Sequence, residues 1–131
     1  MNTEGLKVLL VDDTQIVLEH LAGLMSALQQ VSQTKAVTNA EEGLALLRDF
    51  EPDVLILDIN MPGMSGVEML RRMSLSQPTG AVVVMLTNNT FAGYRDECMR
   101  LGADFFLDKS RDFQMIPGII DDVYQGRMVQ L

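Results

Sequence analysis

The sequence predicts an α/β fold of three layers, in which five parallel strands alternate with five helices. Two observations carry this. Short unbroken apolar runs of four to six residues, rich in Val, Leu and Ile, read as strands buried on both faces. Segments with helical spacing of apolar residues lie between them. Parallel strands need crossover connections, and right-handed crossovers wind helices onto both faces of the sheet. The expected architecture is therefore doubly wound.

The elements follow in order. Lys7 to Val11 is the first strand. Val17, Leu21, Leu24, Met25 and Leu28 give the first helix one apolar stripe. Thr34 to Val37 is a weaker second strand. Asn39 followed by Glu42 marks a helix start, which Leu44 and Leu47 continue. Val54 to Leu57 is the third strand. Ser65 followed by Glu68 is a capping-box pattern ahead of Val67, Leu70 and Met73. Ala81 to Leu86 is the fourth strand. Phe91, Tyr94, Cys98 and Leu101 form a fourth helical stripe, with Gly102 placed to end it. Asp104 to Leu107 is a weaker fifth strand. Ile116, Ile119, Ile120 and Val123 form the last stripe, closed by Gly126. Pro117-Gly118 falls inside that pattern, so the last helix is expected to start late, shorten or bend.

A length of 131 residues fits one domain, residues 1–131, and 47% apolar content can fill its core. Eighteen acids against ten bases give a net charge of −8, which argues against a nucleic-acid binder. The single cysteine, Cys98, excludes a disulfide framework and a Cys-rich zinc site. No apolar run approaches the roughly 18 residues of a membrane span, and the N-terminus is polar, so a cytoplasmic protein with no membrane contact is expected.

In open α/β sheets, ligands bind outside the carboxyl ends of the strands. Asp12 and Asp13 follow the first run, Asp58 and Asn60 the third, Thr87, Asn88 and Asn89 the fourth, and Asp108 and Lys109 the fifth. Asp53 and Asp104 precede their strands, at the opposite edge. Three carboxylates from two strands thus converge, and their repulsion is costly without a counter-ion. Mg²⁺ (or Mn²⁺) suits such an oxygen set and leaves positions for phosphate oxygens. Lys109 adds a positive charge and Thr87 a hydroxyl donor. Around one more carboxylate, these parts make a phosphoryl-transfer site in which the carboxylate itself is the nucleophile.

The strings VDD at residues 11–13, LDINMPGMSG at 57–66, LT at 86–87 and DK at 108–109 resemble the receiver domain of two-component response regulators. The resemblance covers essentially the whole chain. It implies a flavodoxin-like sheet of strand order 2-1-3-4-5. It further implies that Asp58 is the phosphoacceptor. By the same resemblance Asp12 (through water), Asp13, Asp58 and the Asn60 backbone carbonyl hold the metal. Thr87 and Lys109 would contact the phosphoryl group, and Phe106 would change rotamer with Thr87. The implied partners are a histidine kinase or phosphotransfer protein, and a downstream protein reached by direct contact. Homodimerisation stays open. No output domain is visible in the sequence, and the domain is expected to signal rather than to act as an enzyme, beyond its own phosphorylation and dephosphorylation.

Two positions depart from the family pattern. Ser110 follows Lys109 where proline is usual. A cis bond before a non-proline residue costs about 2.5–4 kcal/mol, so a trans bond is expected. Asn88 replaces a small residue and is large enough to crowd the site entrance. Pro117 and these changes put the family's switching at the fourth helix, fifth strand and fifth helix in question. Two other functions remain as alternatives: a pseudo-receiver that only binds partners, and a metal-dependent phosphatase with an aspartyl-phosphate intermediate. The phosphatase pattern would place D-x-D after the first strand, whereas this chain has D-D. Phe106 also reads as plain core packing, His20 as a residue at the edge of its helix stripe, and Cys98 as inert core. Most methionines read as gap-fillers, with Met61, Met64 and Met69 as a candidate contact patch.

Overall fold

The computed structural model describes residues 5–76 and 80–127. Its strands are β1 (Leu6–Val11), β2 (Val31–Val37), β3 (Val54–Leu57), β4 (Val82–Thr87) and β5 (Phe105–Asp108). Its helices are α1 (Gln15–Ser26), α2 (Ala40–Phe50), α3 (Gly66–Ser76), α4 (Ala92–Arg100) and α5 (Ile116–Tyr124), the last preceded by a 3-10 turn at Phe113–Met115. The strands form one parallel sheet in the order β2-β1-β3-β4-β5. Among the described residues, no helix is long and apolar enough to cross a membrane.

Side chains alternate between the two faces of a strand, so each run feeds two cores. Leu9, Val11, Leu55, Leu57, Val83 and Met85 pack against Leu47 and Phe50 of α2, Met69, Leu70 and Met73 of α3, and Cys98 of α4. Val8, Leu10, Val54, Ile56, Val84 and Leu86 pack against Leu18, Leu21 and Met25 of α1 and Ile116, Ile119 and Ile120 of α5.

Local signals position the helices. The Asn39 side chain accepts the Glu42 N–H at 2.8 Å and opens α2. Ser65 Oγ accepts the Glu68 N–H at 3.1 Å, while the Glu68 carboxylate turns to Arg71 and Arg72. Gly102 and Gly126 adopt φ of +110° and +74° just past α4 and α5, where only glycine is unstrained. Pro117 sits in the first turn of α5, where its missing N–H has no intrahelical acceptor to lose.

Several expectations need correction. The second strand is three residues longer than its apolar stretch suggested, since Val31 and Gln33 also pair with β1, across an irregularity at Ser32. Thr87 and Asp108 are the last residues of β4 and β5, paired with each other, rather than loop residues beyond them. Leu28 lies past the end of α1. The fourth stripe is only half a core stripe: Cys98 is buried, but Phe91 is 67% exposed and leans edge-on against Tyr94. Met61 and Met69 are buried and Met64 is partly buried against the same cluster, so the candidate methionine patch belongs mostly to the core.

Two acids at the far edge have structural work. Asp53 Oδ2 accepts the Lys7 N–H and Asp104 Oδ2 accepts the Val83 N–H, each at 2.8 Å, so their carboxylates cap the starts of neighbouring strands.

At the opposite edge, α3 begins in contact with the backbone just beyond β3. The Gly66 N–H donates to the Ile59 carbonyl at 2.8 Å, and a Cβ at residue 66 would overlap the Asp58 carbonyl oxygen. Gly66→Ala therefore displaces backbone and is expected to cost about 3 kcal/mol or more. Gly118, in the first turn of α5, has nothing within 4 Å of a Cβ. Gly118→Ala is expected to gain about 0.5–1 kcal/mol. Urea unfolding followed by circular dichroism checks both, and equal effects at the two positions would contradict the packing argument.

Candidate functional site

The carboxyl ends of β1, β3, β4 and β5 bring the polar residues together. Asp12 and Asp58 are the first residues beyond β1 and β3. Their N–H groups extend the sheet ladder, Asp58 to the Val11 carbonyl at 3.0 Å and Asp12 to the Val37 carbonyl at 3.2 Å. The Lys109 N–H continues the ladder to the Thr87 carbonyl at 3.0 Å. Asp12, Asp58 and Thr87 are buried, whereas Asp13 is exposed.

The Lys109 ammonium sits between the two buried acids, with Nζ 2.7 Å from Asp12 Oδ2 and 3.1 Å from Asp58 Oδ2. The other oxygens have backbone partners. Asp58 Oδ1 accepts the Ile59 N–H at 2.7 Å and Asp12 Oδ1 accepts the Thr14 N–H at 2.8 Å. Thr87 Oγ1 accepts the Asn89 N–H at 3.0 Å, which ties the strand end to the following loop.

Burial pushes the Asp58 carboxyl above the ordinary carboxylate range. Lys109 pulls it down and Asp12 pushes it up, and burial prevails. Burial also works against the Lys109 ammonium, but two carboxylate neighbours overcome it and raise its pKa. The asymmetry has a simple source: Lys109 has two anions, while Asp58 shares one cation with Asp12.

One oxygen from each of Asp12, Asp13 and Asp58 lies within 4.8 Å of the others. Three carboxylates and one ammonium leave two formal negative charges, which one divalent cation cancels. Hard oxygen donors in this number suit Mg²⁺, so the residues fit the ion that the sequence implied. Asn60 lies two residues beyond Asp58 and is exposed.

The remaining residues fall around this centre. Phe106 is half-buried against the core under α4, with the Arg95 guanidinium 6.0 Å from its ring centre. His20 stacks on Phe113 at 4.3 Å, joining α1 to the turn before α5. Burial raises the Cys98 thiol to about 11, which makes it a poor nucleophile. Asn88 is exposed. The Lys109–Ser110 bond is trans, as the missing proline suggested. The sequence reading missed the overlap that reserves residue 66 for glycine. It also missed the hydrogen-bonded turn around Asp108 and Asp112, for which an Asp-x-Ser spacing was the available signal.

A family model described as the response regulator receiver domain matches residues 8–121. A protein-glutamate methylesterase/protein-glutamine glutaminase of Bacillus licheniformis is 33% identical over 104 residues, covering 79% of this chain and 29% of that protein. The nitrate/nitrite response regulator protein NarL of Escherichia coli is 28% identical over 131 residues, covering 98% of this chain and 59% of that protein. The chain thus spans less than two thirds of these relatives. The signal receiver domain of the putative response regulator NarL from Mycobacterium tuberculosis superposes with a TM-score of 0.82 at 25% identity, covering 95% and 99% of the two chains. The response regulator domain of Thermotoga maritima CheB shares the fold, with a TM-score of 0.80 at 24% identity over 97% and 99% of the chains.

The shared ammonium makes a stability prediction. Lys109→Met leaves two buried anions facing each other and is expected to cost on the order of 3 kcal/mol in EDTA. Asp58→Asn is expected to raise Tm in EDTA at pH 7.5. A raised folded-state pKa means that the folded chain binds the Asp58 proton more tightly than the unfolded chain does. The ionised group is therefore destabilising above the folded pKa, and that penalty fades as pH falls through it. The gain from Asp58→Asn should accordingly shrink as the pH is lowered from 7.5. Thermal melts across this range check it, and a gain that grew on acidification would contradict the assignment.

Proposed function

This chain belongs to the response regulator receiver domain family of two-component systems, and we propose from that premise that Asp58 accepts a phosphoryl group from a phosphohistidine donor. The observation that carries the reading is the buried Asp58 carboxylate held between the Lys109 ammonium and the acids Asp12 and Asp13. A lone pair on an Asp58 carboxylate oxygen forms the new O–P bond while the donor's N–P bond breaks, and the leaving imidazole keeps the electron pair and takes its proton from solvent. No general base is required, because the nucleophile is already an anion.

The residues divide the work by position. Asp12, Asp13, Asp58 and the Asn60 backbone carbonyl would hold Mg²⁺ (Mn²⁺ serving equally), which supplies charge neutralisation at the phosphoryl oxygens. Lys109 already contacts Asp58 and would turn to a phosphoryl oxygen as charge builds there. The Thr87 hydroxyl would donate to another. With Mg²⁺ bound, Asp12, Asp13, Lys109 and a dianionic phosphoryl group on Asp58 sum to about −1, which the site tolerates. Phe106 would adjust with Thr87 and carry the change toward α4.

The partners on this reading are a histidine kinase or phosphotransfer protein and an effector protein contacted directly, in the cytoplasm. The domain itself is a signalling phosphoacceptor, its chemistry limited to taking up and slowly losing one phosphoryl group. Residues 1–131 act as one receiver domain.

Intact-mass analysis after incubation with acetyl phosphate and Mg²⁺ tests the proposal. One phosphoryl adduct is expected, absent in Asp58→Asn and in EDTA. Lys109→Met is expected to slow its formation by about 100-fold. No adduct on the folded wild-type protein would favour a binding module that takes no phosphate. Rapid multiple turnover of small phosphoesters would favour a phosphatase.

A further inference from the structure

The turn after β5 lacks proline, yet it delivers Lys109 to both buried acids. The reason is visible in the hydrogen bonds of Asp108. Its Oδ1 accepts from the Ser110 N–H at 2.8 Å and from Ser110 Oγ at 2.7 Å. Its own N–H donates to Asp112 Oδ2 at 2.9 Å. Its carbonyl accepts from the Arg111 N–H at 3.2 Å and the Asp112 N–H at 2.8 Å. A carboxylate that accepts the N–H two residues on closes an Asx turn, which fixes the backbone of the residue between. Here the residue between is Lys109.

We infer that Asp108, through its bracket with Ser110, is a positioning residue that aims the Lys109 ammonium at Asp12 and Asp58. The inference deepens the phosphoacceptor reading and rests on it for its kinetic consequence. The Asp108 carboxylate has no hydrogen bond or ion pair with Asp12 or Asp58, so its effect on those acids runs through Lys109. The Lys109 N–H bond to Thr87 fixes one side of the lysine backbone, and the Asp108–Ser110 bracket fixes the other. The long lysine stem has many rotamers, and the two ion pairs form only if the backbone starts in the right place. A proline at residue 110 would remove the N–H donor on which this bracket depends. The serine is therefore a specific alternative to proline, with the carboxylate before the lysine as its necessary partner.

Two measurements test the inference, on Asp108→Ala, Asp108→Asn and Ser110→Ala. First, the rate of adduct formation from acetyl phosphate is measured at saturating Mg²⁺, with the Mg²⁺ midpoint taken from thermal shift. Asp108→Ala should lose about tenfold or more in rate, since a small misplacement of a charged group is costly, while its Mg²⁺ midpoint stays within about twofold. Asp108→Asn keeps an acceptor oxygen and should recover most of the rate. Second, a double-mutant cycle joins Asp108→Ala to Lys109→Met in EDTA. The Tm loss from Asp108→Ala should be smaller when Lys109 is already Met.

Equal Tm losses in the two backgrounds, or a rate loss that Asp108→Asn does not recover, would overturn the inference and leave Asp108 a structural turn residue. If Asp108→Ala does not fold, Ser110→Ala is run through the same rate and cycle measurements. If the wild-type chain takes no phosphoryl group, the phosphoacceptor reading fails by itself. The metal-free cycle then still decides whether Asp108 positions Lys109.

Discussion

The structure turns on one ammonium shared by two buried carboxylates. Lys109 pairs with Asp12 and Asp58 at once, while Asp13 adds a third negative charge at the rim. A protein selected only for stability would not gather like charges at the end of its most buried strands. The pairing is enough to keep the lysine charged but not enough to bring the Asp58 carboxyl down to its ordinary range. That residual demand for positive charge suits the centre to a divalent cation.

The sheet creates this arrangement by geometry. Parallel strands end on the same edge, and the register brings Val11 beside Leu57 and Thr87 beside Asp108. The residues after β1 and β3 are therefore neighbours, and the lysine after β5 must span β4 to reach them. Only a long side chain can do so, and only if the backbone before it is fixed. The approach of α3 to the Asp58 carbonyl fixes the other side, at the cost of reserving residue 66 for glycine.

Much of this was legible in the sequence, for identifiable reasons. Central strands buried on both faces read as unbroken apolar runs, so β1, β3 and β4 were plain, and the polar residues at their ends pointed to the site. β2 was faint because it is an edge strand: Ser32, Gln33, Lys35 and Ala36 face solvent, and the apolar run disappears. α4 misled in the opposite way, since Phe91 and Tyr94 have helical spacing but lie outside the core. Asp53 and Asp104 were seen to be at the wrong edge for chemistry, but their role as strand caps required knowing which N–H groups face them. The departure at Ser110 was noticed as a missing proline. That Asp108 supplies the compensating acceptor is a tertiary fact of one turn, which no periodicity reveals.

The surroundings of the site differ sharply in how well they are packed. β3 and β4 are buried along their whole length, so the sheet side offers no compliant direction. α4 buries only Cys98, and it is tied to α3 by the partly exposed ion pair between Arg71 and Glu97. An exposed or half-exposed ion pair contributes little, about 1 kcal/mol at most. Segments with few buried contacts open at lower free energy than the core they rest on. Thr87 stands at the border between the two regimes: its carbonyl accepts the Lys109 N–H, and its hydroxyl accepts the Asn89 N–H on the path to α4. A change in charge at Asp58 therefore meets a rigid sheet on one side and a thinly anchored helix on the other. On the phosphoacceptor reading proposed above, strain created there would be relieved at least cost through Thr87, Phe106 and α4.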